Sequence, residues 1–255
     1  MAVRADVLER HKQEWEELAS VDPLWAILTG PEHRGGRWEL SEFFDTGEAE
    51  ISKMLRTADD LGDPVRRERV LDFGCGVGRL SRALSMRFRE CVGLDISEGM
   101  VKLAQELNED RPNCRFVVNA APDLGQFDSE SFDLVYSALV LQHMPSTEMV
   151  ESYVAEFLRV LRPGGLAVFQ MLSHIPFVLR LQPRRRLYSV LRTVGLSEQF
   201  LLMRMKLTPA RGLAVGESTM RRIIERNGGS VELVEGHGER TADEHVFSLR
   251  YFARA

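Results

Sequence analysis

The chain is poor in cysteine, in long apolar runs and in net charge, and each shortage excludes a class of protein. Cys75, Cys91 and Cys114 are three in 255 residues, an odd number with no short paired spacing. That pattern supports no disulfide framework, no Cys-rich zinc site and no radical iron–sulfur cluster, and it suits a reducing cytoplasm. No stretch approaches the ~18–20 uninterrupted apolar residues of a membrane span. The first residues, Met1 to Asp6, run into Glu9 and Arg10 before any apolar signal core develops. There is no internal repeat and no low-complexity tract. With 33 Lys+Arg against 38 Asp+Glu, the net charge of −5 argues against a dedicated nucleic-acid binder. Hydrophobic residues at 44 % and charged residues at 28 % are those of an ordinary folded chain, long enough to build a core without staples.

What is present falls into three stretches. Val7 to Leu18 reads as an amphipathic helix with Val7, Leu8, His11, Trp15 and Leu18 on one face. Asp22-Pro23 ends it, and Gly30 to Gly36 is a loop by its turn residues. A second helix is expected from about Glu48 to Leu61, with Thr46 as its cap. From Arg69, strand-length apolar runs alternate with helical patterns. The expected strands are 70–73, 91–95, 114–118, 132–137 and 166–171, and the expected helices are 77–88, 98–109 (capped by Ser97) and 146–161, the last stopped by Pro163-Gly164-Gly165. Such alternation implies right-handed crossovers and a parallel sheet covered on both faces. Residues 173–216 break the pattern and read as helical. A short helix from Ser218 to Arg226 then precedes a strand pair, 231–234 and 246–253, joined by a long loop.

The first strand turns into its helix through Asp72-Phe73-Gly74-Cys75-Gly76-Val77-Gly78. In an open parallel sheet that crevice is the default ligand site, and glycine lets a backbone approach a ligand closely. The run is G-x-G-x-G; Arg79 stands where a dinucleotide fingerprint has its third glycine. Asp95 ends the second strand, where a carboxylate can accept bonds from both hydroxyls of a ribose. Phe132-Asp133-Leu134-Val135 forms the fourth strand, and Leu161-Arg162-Pro163-Gly164-Gly165 precedes the fifth.

Those four motifs, in that order, resemble the class I S-adenosylmethionine-dependent methyltransferases, over about Arg69 to Met171. The resemblance implies a Rossmann-like α/β fold: a seven-stranded mixed sheet, its last strand antiparallel and inserted between the fifth and sixth. It implies S-adenosyl-L-methionine as cofactor and S-adenosyl-L-homocysteine as product. By the same resemblance, Gly74, Gly76 and Gly78 line the methionine and ribose, and Asp72 helps hold the amino group. Asp95 takes the ribose hydroxyls, Ile96 packs on the adenine, and Ser137 and Ala138 flank the methyl. Where the family usually has an aspartate for the adenine amino group, this chain has Asn119 followed by Ala120. The family's next leucine falls one residue late, at Leu124.

Methyl transfer to an oxygen usually needs a base, most often His, Asp or Glu. His143, after the fourth strand, is the candidate; a histidine that caps the turn before Pro145 is the structural alternative, and Gln142 beside it is placed to orient it. His174, His237 and His245 are expected at the same sheet edge as surface residues. No N-P-P-Y or D-P-P-Y follows the fourth strand, no Pro-Cys pair offers a covalent nucleophile, and no carboxylate cluster marks a metal site. Trp15, Trp25, Trp38, Phe43 and Phe44 form an N-terminal aromatic group suited to a lid, with core packing the plainer role for Trp15. From Arg180 to Arg211, eight Lys/Arg face a single acid, Glu198, so that segment carries +7 and the remainder of the chain −12. It reads as solvated or paired arginines, as a grip on an anionic acceptor, or as a peripheral membrane contact.

The expected organisation is a helical cover at 1–64, a cofactor-binding core at 65–172, a helical acceptor cap at 173–216, and a C-terminal helix and strand pair at 217–255. The expected activity is O-methylation of a small molecule: a specialised metabolite, sugar or lipid precursor. The alternatives are N-methylation of a small amine, or a non-catalytic cofactor-binding homologue that serves as an assembly partner.

Overall fold

A computed structural model describes residues 5–62, 65–176, 180–236 and 247–255. His237, His245 and the first residue of the final expected strand, Val246, lie outside the described residues, as do Phe177, Val178 and Leu179. The N-terminal elements are α1 (Ala5–Val21), α2 (Pro23–Ile27), a 3-10 turn (Pro31–His33) and α3 (Leu40–Asp59). The alternating part follows as β1 (Arg69–Phe73), α4 (Arg79–Ser85), β2 (Glu90–Asp95), α5 (Glu98–Leu107), β3 (Cys114–Val118), β4 (Phe132–Ser137), a 3-10 turn (Leu141–His143), α6 (Thr147–Val160) and β5 (Leu161–His174). After β5 come α7 (Pro183–Thr193), a π-helical turn (Phe200–Arg204), α8 (Glu217–Arg226), β6 (Ser230–Gly236) and β7 (Phe247–Arg254).

The strands form one sheet in the order β3-β2-β1-β4-β5-β7-β6. β1 to β5 are parallel, and β7 runs antiparallel to both neighbours. This is the Rossmann-like mixed sheet the motifs implied. Period-two alternation divides the core. Phe169 and Tyr251 pack with Val150, Phe157, Met220 and Ile224 of α6 and α8, while Val168 and Phe252 pack with Ile51, Met54, Leu80 and Leu84 of α3 and α4. Ser97 and Ser146 cap their helices as expected, accepting from Met100 N and Met149 N.

Three elements differ from the sequence reading. α3 starts eight residues earlier than expected, at Leu40, and Thr46 sits inside it, its hydroxyl donating to Phe43 O. Gly47 hid this extension. A Cβ there would stand 2.5 Å from Arg79 O, so the glycine permits close α3–α4 packing and does not end a helix. β5 starts at Leu161, because Pro163-Gly164-Gly165 bulges the strand between its pairings with Phe132 and Leu134 and does not end it. Glycine suits position 165 because an added Cβ would stand 2.8 Å from Arg162 O. Among the described residues the segment after β5 is less helical than its composition suggested: 205–216 holds no helix, and Ala214 bridges back to Leu172.

α1 joins the body to this cap. Glu16 accepts from Ser97 Oγ and Gly99 N at the start of α5, an N-terminus that favours a carboxylate. On the cap side, Glu14 pairs with Arg185 and Arg211, and Glu17 with Arg192 and with the Tyr188 hydroxyl at 2.7 Å. The three carboxylates thus fasten one helix to two different neighbours.

Candidate functional site

At the carboxyl ends of β1 and β4 the strand order reverses, and a crevice opens there by topology alone. It continues beneath α1 and α2 as a cavity of about 1160 Å³. On the sheet side its walls include Gly74, Gly76, Asp95, Ile96, Asn119, Ala138 and His143. From the N-terminal elements come His11, Trp15, Trp25 and Trp38, and from the end of the cap Thr208 and Ala210. All three tryptophans therefore face this space, Trp15 included.

The glycine turn is shaped for close approach. Gly74 and Gly76 hold φ of 76° and 53°. A Cβ on Gly74 would stand 2.2 Å from a Val140 methyl, and one on Gly76 2.5 Å from Ile27 of α2. Asp95 is tied to this turn: its Oδ2 accepts from Gly76 N at 2.8 Å and its Oδ1 from Ser97 N at 2.9 Å. A carboxylate has about four lone-pair positions, so these bonds leave acceptor capacity on a residue that lines the cavity. Burial raises the Asp95 pKa, and the amides of Ser97, Gly76 and Ile96 oppose the rise.

Other predicted positions lie off the wall. Gly78 (φ 83°) is the N-cap of α4, and an added Cβ would strike Asn108 and Phe116, so its lack of a side chain serves packing. Asp72 lies under the turn, accepting from Ser81 Oγ at 2.6 Å, and burial pushes its pKa up to about 7. Ser137 is buried with no hydrogen-bond partner for its Oγ, and Ala120 is exposed. Asn119 reaches the wall, but its amide also serves its own loop. Its Nδ2 donates to Asp123 O at 3.0 Å, and its Oδ1 accepts from Gln126 Nε2 at 3.3 Å.

His143 is held by the cap. Its Nδ1 lies 2.6 Å from Arg211 O, which can only accept, so Nδ1 carries the proton and Nε2 keeps its lone pair. Gln142 Nε2 donates toward that lone pair at 3.3 Å. Burial lowers the His143 pKa to about 4; the Arg211 carbonyl opposes this and His11 adds to it. The ring stands edge-on to Trp15, with centroids 5.4 Å apart. His174 is exposed at the end of β5, as expected of a surface histidine.

Two groups were invisible in the sequence. His11 read only as one member of an apolar helix face, yet its ring is 4 % exposed and lines the cavity. Its Nδ1 is sealed without a hydrogen-bond partner, 3.9 Å from Glu14 Oε2. Burial works against the Glu14 carboxylate, but His11, Arg211 and Arg185 outweigh it and hold its pKa at about 2. The second group is Glu50 of α3, which meets Arg79 at 2.8 Å, Arg250 at 3.3 Å and the Tyr136 hydroxyl at 2.8 Å. Burial raises the Glu50 pKa less than Arg79, Tyr136 and Arg250 lower it, so it stays a carboxylate. A polar residue spaced four from a tryptophan on an apolar face was the only available signal for His11.

Residues 71–169 match a family model described as a methyltransferase domain. A 2-methyl-6-phytyl-1,4-hydroquinone methyltransferase of Synechocystis is 39 % identical over 100 residues, which are 39 % of this chain and 30 % of that protein. A chloroplastic tocopherol O-methyltransferase of Arabidopsis thaliana is 30 % identical over 165 residues, 59 % of this chain and 46 % of that protein. The chain thus spans less than half of either relative. Among solved structures, a magnesium protoporphyrin IX methyltransferase of Synechocystis with bound SAH aligns at a TM-score of 0.62. It is 21 % identical and covers 98 % of this chain and 100 % of its own. At that identity the likeness is one of fold.

Proposed function

We propose that this protein is an S-adenosylmethionine-dependent methyltransferase, as the methyltransferase-domain match over residues 71–169 supports, and that it methylates a hydroxyl of an apolar, ring-bearing small molecule. S-adenosyl-L-homocysteine is the product left behind. The observation that carries the reading is the continuity of the cavity. One space joins the glycine turn and Asp95 to three tryptophans and three histidines. At about 1160 Å³ it exceeds the ~300–1,000 Å³ usual for one ligand, which leaves room for a cofactor and an acceptor together.

The residues present fit S-adenosylmethionine. Gly74 and Gly76 bring bare backbone to the cavity wall, where a Cβ would displace Val140 or Ile27, Asp95 keeps acceptor capacity for a ribose diol, and Ile96 offers an apolar wall for the adenine. Ala138 lies where the methyl end would reach, with Ser137 behind it in the strand. Asn119 would border the adenine edge, and Asp72 and Gly78 would support the turn from below. When bound, the cofactor supplies an electrophilic methyl on a sulfonium whose departure leaves a neutral thioether. The protein's share is to position the acceptor, exclude water and receive its proton.

Trp15, Trp25 and Trp38 supply flat apolar surface for a ring, and the relatives named for hydroquinone and tocopherol methylation set the acceptor class we favour. His143 Nε2, neutral and fixed in tautomer, exchanges its 3.3 Å contact with Gln142 Nε2 for a hydrogen bond from the acceptor and orients it. A conjugate acid held near pH 4 is a poor proton sink, so this role replaces that of base. His11 takes the proton at Nε2, the ring nitrogen that is not sealed, and Glu14 behind Nδ1 stabilises the resulting imidazolium. An anionic acceptor gripped by the cap is less favoured, because Arg185, Arg192 and Arg211 are committed to Glu14, Glu17 and Glu198.

Calorimetry with S-adenosylmethionine tests the reading. Binding is expected for the wild type and at least ~30-fold weaker binding for Asp95→Ala, since two charge-assisted hydrogen bonds are lost. A wild-type protein that binds no cofactor overturns the reading.

A further inference from the structure

Large hydrophobic side chains are exposed at nine described positions, and six of these lie in the cap: Leu181, Leu187, Val190, Val194, Phe200 and Met205. Val190 and Val194 are 59 % and 67 % exposed. Helix geometry explains the clustering. At ~100° per residue, Leu187, Val190 and Val194 fall on one stripe, with Arg186 on one flank and Arg184 on the other. The opposite face carries Arg185, Tyr188 and Arg192, which hold Glu14 and Glu17 of α1. α7 is therefore amphipathic twice over: polar contacts inward, an apolar stripe between arginines outward.

Charge follows the same division. The cap's inward arginines are ion-paired, whereas Arg180, Arg184, Arg186, Arg204 and Lys206 are exposed and meet no carboxylate among the described residues. An apolar stripe between cations that can snorkel past it suits the boundary between anionic headgroups and acyl chains. Neither half of the feature suits water: scattered surface hydrophobics are ordinary, but a contiguous patch rimmed by one sign of charge marks an interaction surface. Among the described residues no helix is long and apolar enough to cross a membrane, so the contact is with a surface.

We infer that the outer face of the cap docks the protein on an anionic lipid surface, and that the cavity draws its acceptor from there. The first half stands on the cap alone; the second rests on the function proposed above. Thr208 and Ala210 tie the two together, because the segment that bears the outer patch also forms part of the cavity wall.

Co-sedimentation with vesicles, without cofactor or acceptor, tests the docking. The protein is expected to pellet with mixed phosphatidylcholine–phosphatidylglycerol vesicles and to stay in solution with phosphatidylcholine alone. The doubly reversed Arg184→Glu/Arg186→Glu variant should bind at least ~10-fold more weakly, given ~1 kcal/mol per cation near such a surface. Val190→Asp/Val194→Asp should lose binding at any salt concentration. Met86→Asp, an exposed apolar position outside the cap, should bind as the wild type does. Indifference of the wild type to anionic vesicles overturns the proposal, as does equal binding by the cap variants. So does a dimer in sedimentation velocity that the same substitutions split, since a second copy would then be the occupant. Vesicle binding by a protein that fails the calorimetric test leaves the docking standing and removes only the source of the acceptor.

Discussion

Gly74 and Gly78 belong to one short run and hold nearly the same backbone angle, yet their missing side chains serve different neighbours. At Gly74 the missing side chain makes room for Val140, itself part of the cavity wall, and at Gly78 for Asn108 and Phe116. The spacing G-x-G-x-G was legible because it is local; which glycine faces a ligand depends on packing that no spacing records. The two histidines divide in a similar way. His143 stood out by following a strand end, whereas His11 stood out by nothing except a polar ring on an apolar face. Their chemistry separates them experimentally. His11→Gln is expected to lower kcat by about 100-fold or more at unchanged cofactor affinity, the usual range for a lost general base. His143→Gln is expected to act mainly on the acceptor's KM. Steady-state kinetics with calorimetry for the cofactor distinguishes the two, and a His11→Gln variant with wild-type kcat would assign that ring to structure.

At the scale of elements, the strands were the most legible part. β3 and β4 occupy the expected residues because short apolar runs bounded by turns have few alternatives inside a parallel sheet. α3 was misjudged at its start because Gly47 reads as a helix end in isolation and as a packing site beside Arg79. The hold of α1 on the cap was illegible, since Glu14 and Arg185 are 171 residues apart. Charge counting found the cap's excess of arginine but not its division into paired and outward-facing halves. Because Glu14 and Glu17 carry the cap side of that hold, the double variant Glu14→Gln/Glu17→Gln should free α7 while leaving the sheet intact. Amide exchange in α7 and in the first turns of α1 should accelerate at least ~10-fold, with β1 and β4 unchanged. Equal protection of α7 in both proteins would show that Tyr188 and the apolar cluster around Leu201 hold it without the carboxylates.

For the whole molecule, two buried groups give opposite responses to acid. Asp72 has a folded pKa of about 7 against 3.8 unfolded. Its contribution is present at low pH and is lost as pH rises toward 7. His143 has a folded pKa of about 4 against 6.5 unfolded. The unfolded chain therefore binds the extra proton first, and this contribution is lost as pH falls from 6.5 toward 4. Between those limits the two slopes nearly cancel in the protein without cofactor. Asp72→Asn keeps the acceptor for Ser81 and should leave the histidine's slope, with stability rising with pH across that window. His143→Gln should leave the aspartate's slope, with stability falling as pH rises. Urea midpoints through the window read both signs directly, and parallel curves for wild type and variants would show that neither group titrates where its burial implies.

The position of α1 has a consequence for how the two ligands influence one another. The same helix presents His11 and Trp15 to the cavity, rests on α5 through Glu16, and holds the cap through Glu14 and Glu17. Both halves of the cavity therefore share α1 as a wall, so a guest that shifts α1 acts on one set of ion pairs. A guest that orders that set should favour the second, and reciprocity between linked equilibria then requires that each tighten the other's binding by an equal factor.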